Sequence, residues 1–326
     1  MIVLSQCSSF EDVQDAWRSL LKGKDTKSPS LMSAWQQAWS QTIGRDKEFS
    51  FFILSDDGQV KGIAPLSIEQ SSITFIGDPN LYDYCDFLVE SGYEQIFFDE
   101  LLRKLRSMTW DELYFFAIPQ DSPTLEYLPI SCNRAGLALE KKVEDVVPGV
   151  QLPNTWEEYL ANLSKKNRHE LKRKFTRLEN KGNFSWCAKS TVADISADLD
   201  EFFRLLRSSG THKSEFLTDQ RAEFFRELSN RMAEQDIIRL FFLEVDGEKV
   251  ASTLCFDWEG SRLLYNSGFN RDFSEYSVGL LLKVICLRDA IDQGKEYFDF
   301  LRGPERYKYQ LGCNDREIYE IKITRQ

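Results

Sequence analysis

The strongest constraint in this sequence is a pattern that occurs twice. Residues 49–77 read FSFFILSDDGQVKGIAPLSIEQSSITFIG, and residues 239–268 read RLFFLEVDGEKVASTLCFDWEGSRLLYNSG. Each has an apolar β-rich run, an Asp-Gly pair, a second run, a polar turn and a third run. Asp-Gly between alternating apolar runs is a strong hairpin signal. Both stretches therefore predict a three-stranded antiparallel meander, with turns at Asp57-Gly58 and Asp246-Gly247.

The likeness continues beyond the meanders. EQIFFDELLRKLRSM (94–108) has apolar positions at helical spacing and precedes a strand-like Glu112–Phe116; VGLLLKVICLRDAIDQG (278–294) precedes Glu296–Phe300. A helix and a strand after a meander predict a βαβ crossover onto one mixed sheet. The turns lie 189 residues apart and the closing strands 184. Two related α/β domains are expected, residues 1–147 and 148–326, with the boundary near Val147-Pro148-Gly149. Helices are also expected before each meander. Ser28-Pro29 opens one, Thr155 with Glu158 forms a capping box for WEEYLANL, and KKNRHELKRKFTRLEN is expected to end at a left-handed Gly182.

A chain of 326 residues has room for two cores, and 42% apolar with 29% charged residues is an ordinary globular balance. The net charge of −11 argues against general affinity for nucleic acid or anionic membrane. No run approaches the roughly 18 apolar residues of a membrane span. The first twenty residues lack the basic start and apolar run of a signal peptide. Seven scattered cysteines without a CxxC pair, and two histidines, predict reduced thiols, a cytoplasmic location and no metal site.

The chemistry is expected in two segments. In YNSGFNRDFSEYSVGLLLKVICL a strand ends near Asn266–Phe269, a polar loop comes next, and a helix opens around Ser277-Val278-Gly279. Unpaired N–H groups and the positive end of the dipole make such a start a phosphate site, although many ordinary helices also begin with Ser and Gly. In EYFDFLRGPERYKYQLGC a strand breaks at Arg302-Gly303-Pro304 into a basic, aromatic loop.

With both segments in view, the chain resembles the GNAT-like acyltransferases of the CelD type and, more distantly, the Fem-type aminoacyltransferases. The resemblance lies in Tyr265, Ser267, Gly268 and Phe269; in Tyr276, Ser277 and Gly279; and in Gly294, Phe298, Asp299, Arg302, Gly303, Tyr307, Lys308 and Gly312. It extends through SWCAKS, Thr211-His212-Lys213 and LSKKNRHELKRKFTRLE, and in the first half through SPSLMSAWQQAW, GIAPL and IGDPNLYDYCDFLV.

That resemblance implies two tandem GNAT-like domains around a central cleft, the first degenerate and on the acceptor side, the second holding the donor. It implies acetyl-CoA or another acyl-CoA as donor, with the pantetheine arm between two splayed parallel strands, here Arg262–Gly268 and Glu296–Leu301. The pyrophosphate would rest on the amides around Ser277, Val278, Gly279, Leu280 and Leu281, with Tyr265, Ser267, Tyr276 and Arg302 completing the donor site. A backbone N–H of the Tyr265–Ser267 strand would polarise the acyl carbonyl.

Asp299 is the carboxylate candidate for the base; the alternative is a structural pair with Arg302 or Lys308. Lys308 either neutralises a phosphate or pairs with an acid, and Tyr307 either protonates the leaving group or packs. His212 is either a solvated loop histidine or a substrate contact. Asp83, Tyr84 and Asp86 are either acceptor contacts or turn residues.

Residues 164–181 hold eight Lys and Arg against two Glu in an otherwise acidic chain. A solvated face is the default for such a run, but one-signed clustering also focuses anionic ligands. The expected partners are a small-molecule amine acceptor, such as an amino sugar or cell-envelope precursor, and a phosphorylated ligand at this helix. Sequence-specific DNA is not expected. An aminoacyl-tRNA-dependent transferase and a non-catalytic binding protein of the same fold are the alternatives.

Overall fold

The computed structural model describes residues 1–21 and 28–325 and resolves into two compact units, residues 1–146 with 316–325, and residues 147–315. The first contains β1 (Ile2–Cys7), α1 (Phe10–Leu21), α2 (Ser33–Ser40), β2 (Glu48–Asp56), β3 (Gln59–Glu69), β4 (Ser72–Phe75), β5 (Leu88–Val89), α3 (Glu94–Arg106), β6 (Glu112–Pro119), α4 (Thr124–Ala135) and β7 (Leu137–Val146). The second contains β8 (Gly149–Gln151), α5 (Trp156–Asn162), α6 (Lys165–Glu179), β9 (Phe184–Lys189), α7 (Val192–Ser208), α8 (Thr211–Phe216), α9 (Asp219–Glu234), β10 (Ile238–Val245), β11 (Glu248–Trp258), β12 (Ser261–Phe269), α10 (Val278–Asp292), β13 (Tyr297–Asp299) and α11 (Arg306–Gln310). The last strand, β14 (Glu317–Arg325), returns to the first unit.

Both expected meanders are present, as β2-β3-β4 and β10-β11-β12. Their turns have positive φ at both central residues, 47° and 78° at Asp57-Gly58 and 50° and 85° at Asp246-Gly247. This geometry matches the right-handed twist of the flanking strands, so the Asp-Gly pairs set both hairpin registers. The crossovers also form: β4 pairs β6 in parallel, and β12 pairs β13 in parallel. Strand orders among the described residues are β1-β2-β3-β4-β6-β14-β7 and β9-β10-β11-β12-β13-β8, so the two sheets match strand for strand through the closing strand.

The duplication reaches a detail that sequence patterning does not display. Ala117 and Leu301, separated by the 184-residue offset, both hold positive φ, 55° and 56°. Each amide is held by a carboxylate: Ala117 N donates to Glu144 Oε2 at 2.6 Å, and Leu301 N to Asp299 Oδ1 at 2.8 Å. A left-handed non-glycine residue costs about 1–2 kcal/mol, and these bonds offset part of that.

Two expectations are corrected. Residues 316–325 belong to the first unit, not the second: β14 lies between β6 and β7 and pairs antiparallel with both. The equivalent place beside β13 in the second unit is taken by β8, which comes after β7 in the chain. Nothing in the periodicity of a strand says which sheet edge it will complete. Secondly, α6 ends at Glu179 with Asn180 as its C-cap, and Gly182 is not the left-handed residue. Gly182 is small for another reason, since a Cβ there would lie 2.3 Å from Asp246 Oδ2.

In the second unit both sheet faces are covered. Helices α7 and α9 pack on one face, through Phe202, Phe203, Phe224 and Phe225. Helix α10 packs on the other and is itself backed by α5 and α6. It is therefore apolar nearly all round, from Val278 to Ile291, as a helix buried on all sides must be. The expected cap forms, Thr155 Oγ1 accepting from Glu158 N at 3.2 Å, and Ser164 Oγ supplies a further one by accepting from Asn167 N at 3.2 Å.

Candidate active site

The site begins where a ladder stops. β12 and β13 pair only at Ser261–Tyr297, Arg262–Phe298 and Leu263–Asp299. β12 then runs on to Phe269 without its parallel neighbour. Its register with β11 slips between Leu254 and Cys255, which leaves Tyr265 as an extra, bulged residue. A bulge bends a strand and ends regular pairing, so strand divergence is written into the ladder itself. The Tyr265 ring packs against Phe225 (5.6 Å) and Phe256 (5.3 Å), so any part it takes at the splay falls to its backbone.

Helix α10 opens beside this splay. A 3₁₀ turn, Arg271–Tyr276, leads to Ser277, whose φ of 58° makes it a left-handed N-cap. The Ser277 hydroxyl does not cap the helix; it accepts from Lys174 Nζ at 2.9 Å. Of the amides expected to bind phosphate, Leu280 and Leu281 already donate to Ser277 O, and Ser277 N donates to Ser274 O. Among the described residues, Val278 and Gly279 N–H have no protein acceptor, which narrows the anion site to those two. The small size of Gly279 has a packing cause as well: a Cβ would stand 3.0 Å from Phe269 Cδ1.

The basic helix and this helix start, expected separately, are brought together. Besides Lys174, Arg177 donates to the Glu275 carbonyl (2.9 Å), and Lys181 lies 5.6 Å over the Tyr276 ring. Between α6, α10 and α11 lies a cleft of about 590 Å³ lined by Lys166, His169, Arg173, Lys174, Leu280, Arg306 and Tyr307, among others. Four cations face this space together with Leu280 from the first turn of α10, with Glu170 as the acid at its wall.

The loop after β13 is held from inside. Lys308 is 1% exposed, and its ammonium donates to the carbonyls of Leu301 (2.8 Å), Arg302 (2.9 Å) and Gly303 (2.8 Å). It also pairs with Glu305 at 2.8 Å. Its three N–H groups are spent on the loop, so its task here is to shape the segment that carries Tyr307. Asp299, also 1% exposed, holds the Leu301 amide. Burial pushes the Tyr307 hydroxyl well above its ordinary pKa, with Glu305 and Cys313 adding to the rise, so it stays protonated. Its ring packs edge-on to Phe300 (6.0 Å).

Two residues to which sequence reasoning gave no role stand in the same place. Lys213, from α8, donates to Asn266 Oδ1 (2.5 Å) and Ser267 O (3.0 Å) on the diverging part of β12. Lys283, one turn into α10, donates to Gly279 O at 3.3 Å and lies 5.2 Å over the Tyr307 ring. Burial pulls both ammonium groups down to about 8. For Lys213 the charge of Lys283 adds to the fall, and Glu305 opposes it. The available signal was a lysine inside the apolar run VGLLLKVICL, which a buried helix carries only at a cost.

The remaining expected residues lie elsewhere. His212 is exposed, on α8 and not in a loop. Tyr84 and Asp86 line a cavity of about 360 Å³ in the first unit, whereas Asp83 is not among its lining residues. The Tyr84 hydroxyl accepts from Arg316 (3.1 Å), and Asp86 Oδ1 accepts from the Thr124 hydroxyl (2.6 Å). Among the described residues no cluster of His, Cys, Asp and Glu is arranged to hold a metal, and no helix is long and apolar enough to cross a membrane.

A mixed sheet whose parallel pair splays over the start of a buried helix, duplicated along the chain, defines a tandem GNAT-type fold. Residues 165–309 match the family model of the acetyltransferase (GNAT) domain. Among solved structures the chain is similar to FemX, at 11% identity and a TM-score of 0.68, covering 98% of this chain and 96% of that one. It is also similar to a tandem GNAT protein from the clavulanic acid biosynthesis pathway (10%, TM-score 0.56, 98% of both chains). A third likeness is to L-PGS from Bacillus licheniformis (12%, TM-score 0.59, 95% of this chain and 91% of that one). No curated protein sequence matches the chain.

Proposed function

We propose that the second unit is an N-acyltransferase that binds a phosphate-bearing acyl donor, acetyl-CoA or a longer acyl-CoA, and passes its acyl group to an amine. The observation that carries this reading is the meeting of Lys174 and Ser277, which joins a cationic helix face to two amides without protein acceptors beside splayed strands. Phosphates favour such a helix start, and the cations of the cleft add charge-assisted bonds. The acyl arm then runs between β12 and β13, with its carbonyl near the Tyr265 bulge. The protonated Tyr307 hydroxyl is the proton source for the leaving group.

One observation favours a second donor. Lys166, Arg173 and Arg306 add to the basic lining beside Lys174, which suits a nucleic-acid end, and the Fem-type resemblance implies an aminoacyl-tRNA. Calorimetric titration with acetyl-CoA, long-chain acyl-CoA and a charged tRNA separates the two. Saturable heat with an acyl-CoA, weakened about 10²–10⁴-fold in K174A/R306A, is the expected result, because hydrogen bonds to charged groups contribute roughly 1.5–3 kcal/mol each. Heat only with charged tRNA favours the second donor, and no heat with any of them overturns the acyltransferase reading.

A further inference from the structure

An acyl transfer to an amine needs a group that takes a proton, and the carboxylates near the splay are already engaged. Asp299 is enclosed and holds the Leu301 amide; Glu305 pairs with Lys308. Lys283 is the group left with capacity. Its amine makes one long bond to Gly279 O and lies over the Tyr307 ring, one helical turn beyond the Val278–Gly279 amides. Glu305 and Lys308, from the segment after β13, lie close enough to act on its charge, as it acts on Lys213, which is anchored on Ser267 of the diverging part of β12.

We infer that Lys283 is the general base of the transfer, taking the proton that the acceptor nitrogen must lose as it attacks the acyl carbon. This rests on the acyltransferase reading and deepens it. The groups facing Lys283 are Lys213 from α8, Cys255 from β11, Cys286 from its own helix, and Glu305, Tyr307 and Lys308 from the loop and α11. Three ammonium groups therefore share one carboxylate, the largely exposed Glu305, which is already paired with Lys308. A low dielectric and like charges both disfavour the ammonium form of the amine with the poorest partners. Lys283 thus gives up its proton near pH 8, close to the range where a base is most effective.

The step balances. The acceptor enters as a neutral amine, its lone pair forms the C–N bond, and the Lys283 nitrogen takes the proton that the amine loses. The bond from acyl carbon to leaving sulfur or oxygen breaks with its electron pair on the leaving atom. That atom receives the proton from the Lys283 ammonium, directly or through the Tyr307 hydroxyl, which gives its proton and regains one from Lys283. Either route restores the free amine.

The test uses the full chain with K283M, which keeps the volume and removes the titration, and K283R, which keeps the charge and cannot act as base. Wild type is expected to show an acid limb in kcat/KM near pH 8, the value to which burial pulls Lys283. Both variants should lose about 10²–10⁴-fold in kcat with donor Kd within about twofold. K283M should unfold at no lower temperature than wild type. Turnover that survives either substitution within about threefold, or an unchanged acid limb, overturns the role of Lys283 and leaves the acyltransferase reading standing. A wild type that turns over no donor overturns both. Independently, NMR of the methylated lysine signal absent from K283M gives its titration midpoint, and a value above about 10, the ordinary lysine range, overturns the proposal.

Discussion

Arg262 grips Asp257 with two bonds, Nε to Oδ1 at 2.7 Å and Nη2 to Oδ2 at 3.0 Å, and the arginine has no solvent exposure. The guanidinium also reaches Asp289 Oδ2 at 2.5 Å and the Cys286 carbonyl at 3.2 Å. One side chain thus ties the end of β11 and the start of β12 to α10, just before the ladder with β13 gives out. The rigid base from which the splay departs is this cluster.

Breaking it should show in both stability and pH dependence. R262A is expected to lose about 3–5 kcal/mol at pH 7, because it leaves Asp257 buried without its main partner. Burial alone would raise the Asp257 pKa; in wild type Arg262, with Lys295 and Arg239, outweighs that and holds it below its ordinary value. Wild type therefore keeps this contribution until the pH falls below about 4, the ordinary carboxylate range. In R262A the carboxyl rises instead and protonates earlier. The deficit between the two proteins should narrow between pH 7 and pH 4.5 in urea melts; an equal deficit at both pH values would count against the account.

Gly268 sits where α7 crosses β12. A Cβ there would meet Leu206 N at 2.4 Å and Leu205 C at 2.5 Å, both backbone atoms that cannot rotate away. G268A should cost at least about 1–3 kcal/mol, the overpacking range, with a lower melting temperature by calorimetry. Gly247, where a Cβ meets nothing within 4 Å but φ is 85°, should cost less when changed to Ala. The order of the two losses is the measurement, and a reversed order would refute the close-approach argument.

Lys308 should act through geometry. K308M leaves three carbonyls of the 301–303 loop without their donor, and K308R cannot direct a planar fork at all three. Both variants are expected to be less stable by about 2–4 kcal/mol and to disorder the loop. Hydrogen exchange of amides 301–308 should rise in both. Protection unchanged from wild type in K308M would assign Lys308 a role other than support.

Much of the scaffold was legible in the residues. Asp-Gly pairs marked both hairpins because that turn needs two positive φ values, and Asp57 and Asp246 carry them. The capping oxygen at Thr155 marked a helix start because it answers a local orphan amide. These signals act over a few residues, so the sequence displays them directly. Site roles were less legible. Lys308 stood out as a basic residue near the donor end, but whether a buried ammonium meets a ligand or three carbonyls depends on how the loop closes around it.

The amino-acid sequence by itself determined the repeat, the meanders, the crossovers and the place of the helix start at Ser277, because each arises from local periodicity and turn chemistry. Tertiary structure alone decided that β14 completes the first sheet, that Lys174 meets Ser277, and that Lys213 and Lys283 share one interior site. Those outcomes depend on which distant segments are packed together and on the dielectric they create, and neither is carried by any short run of residues.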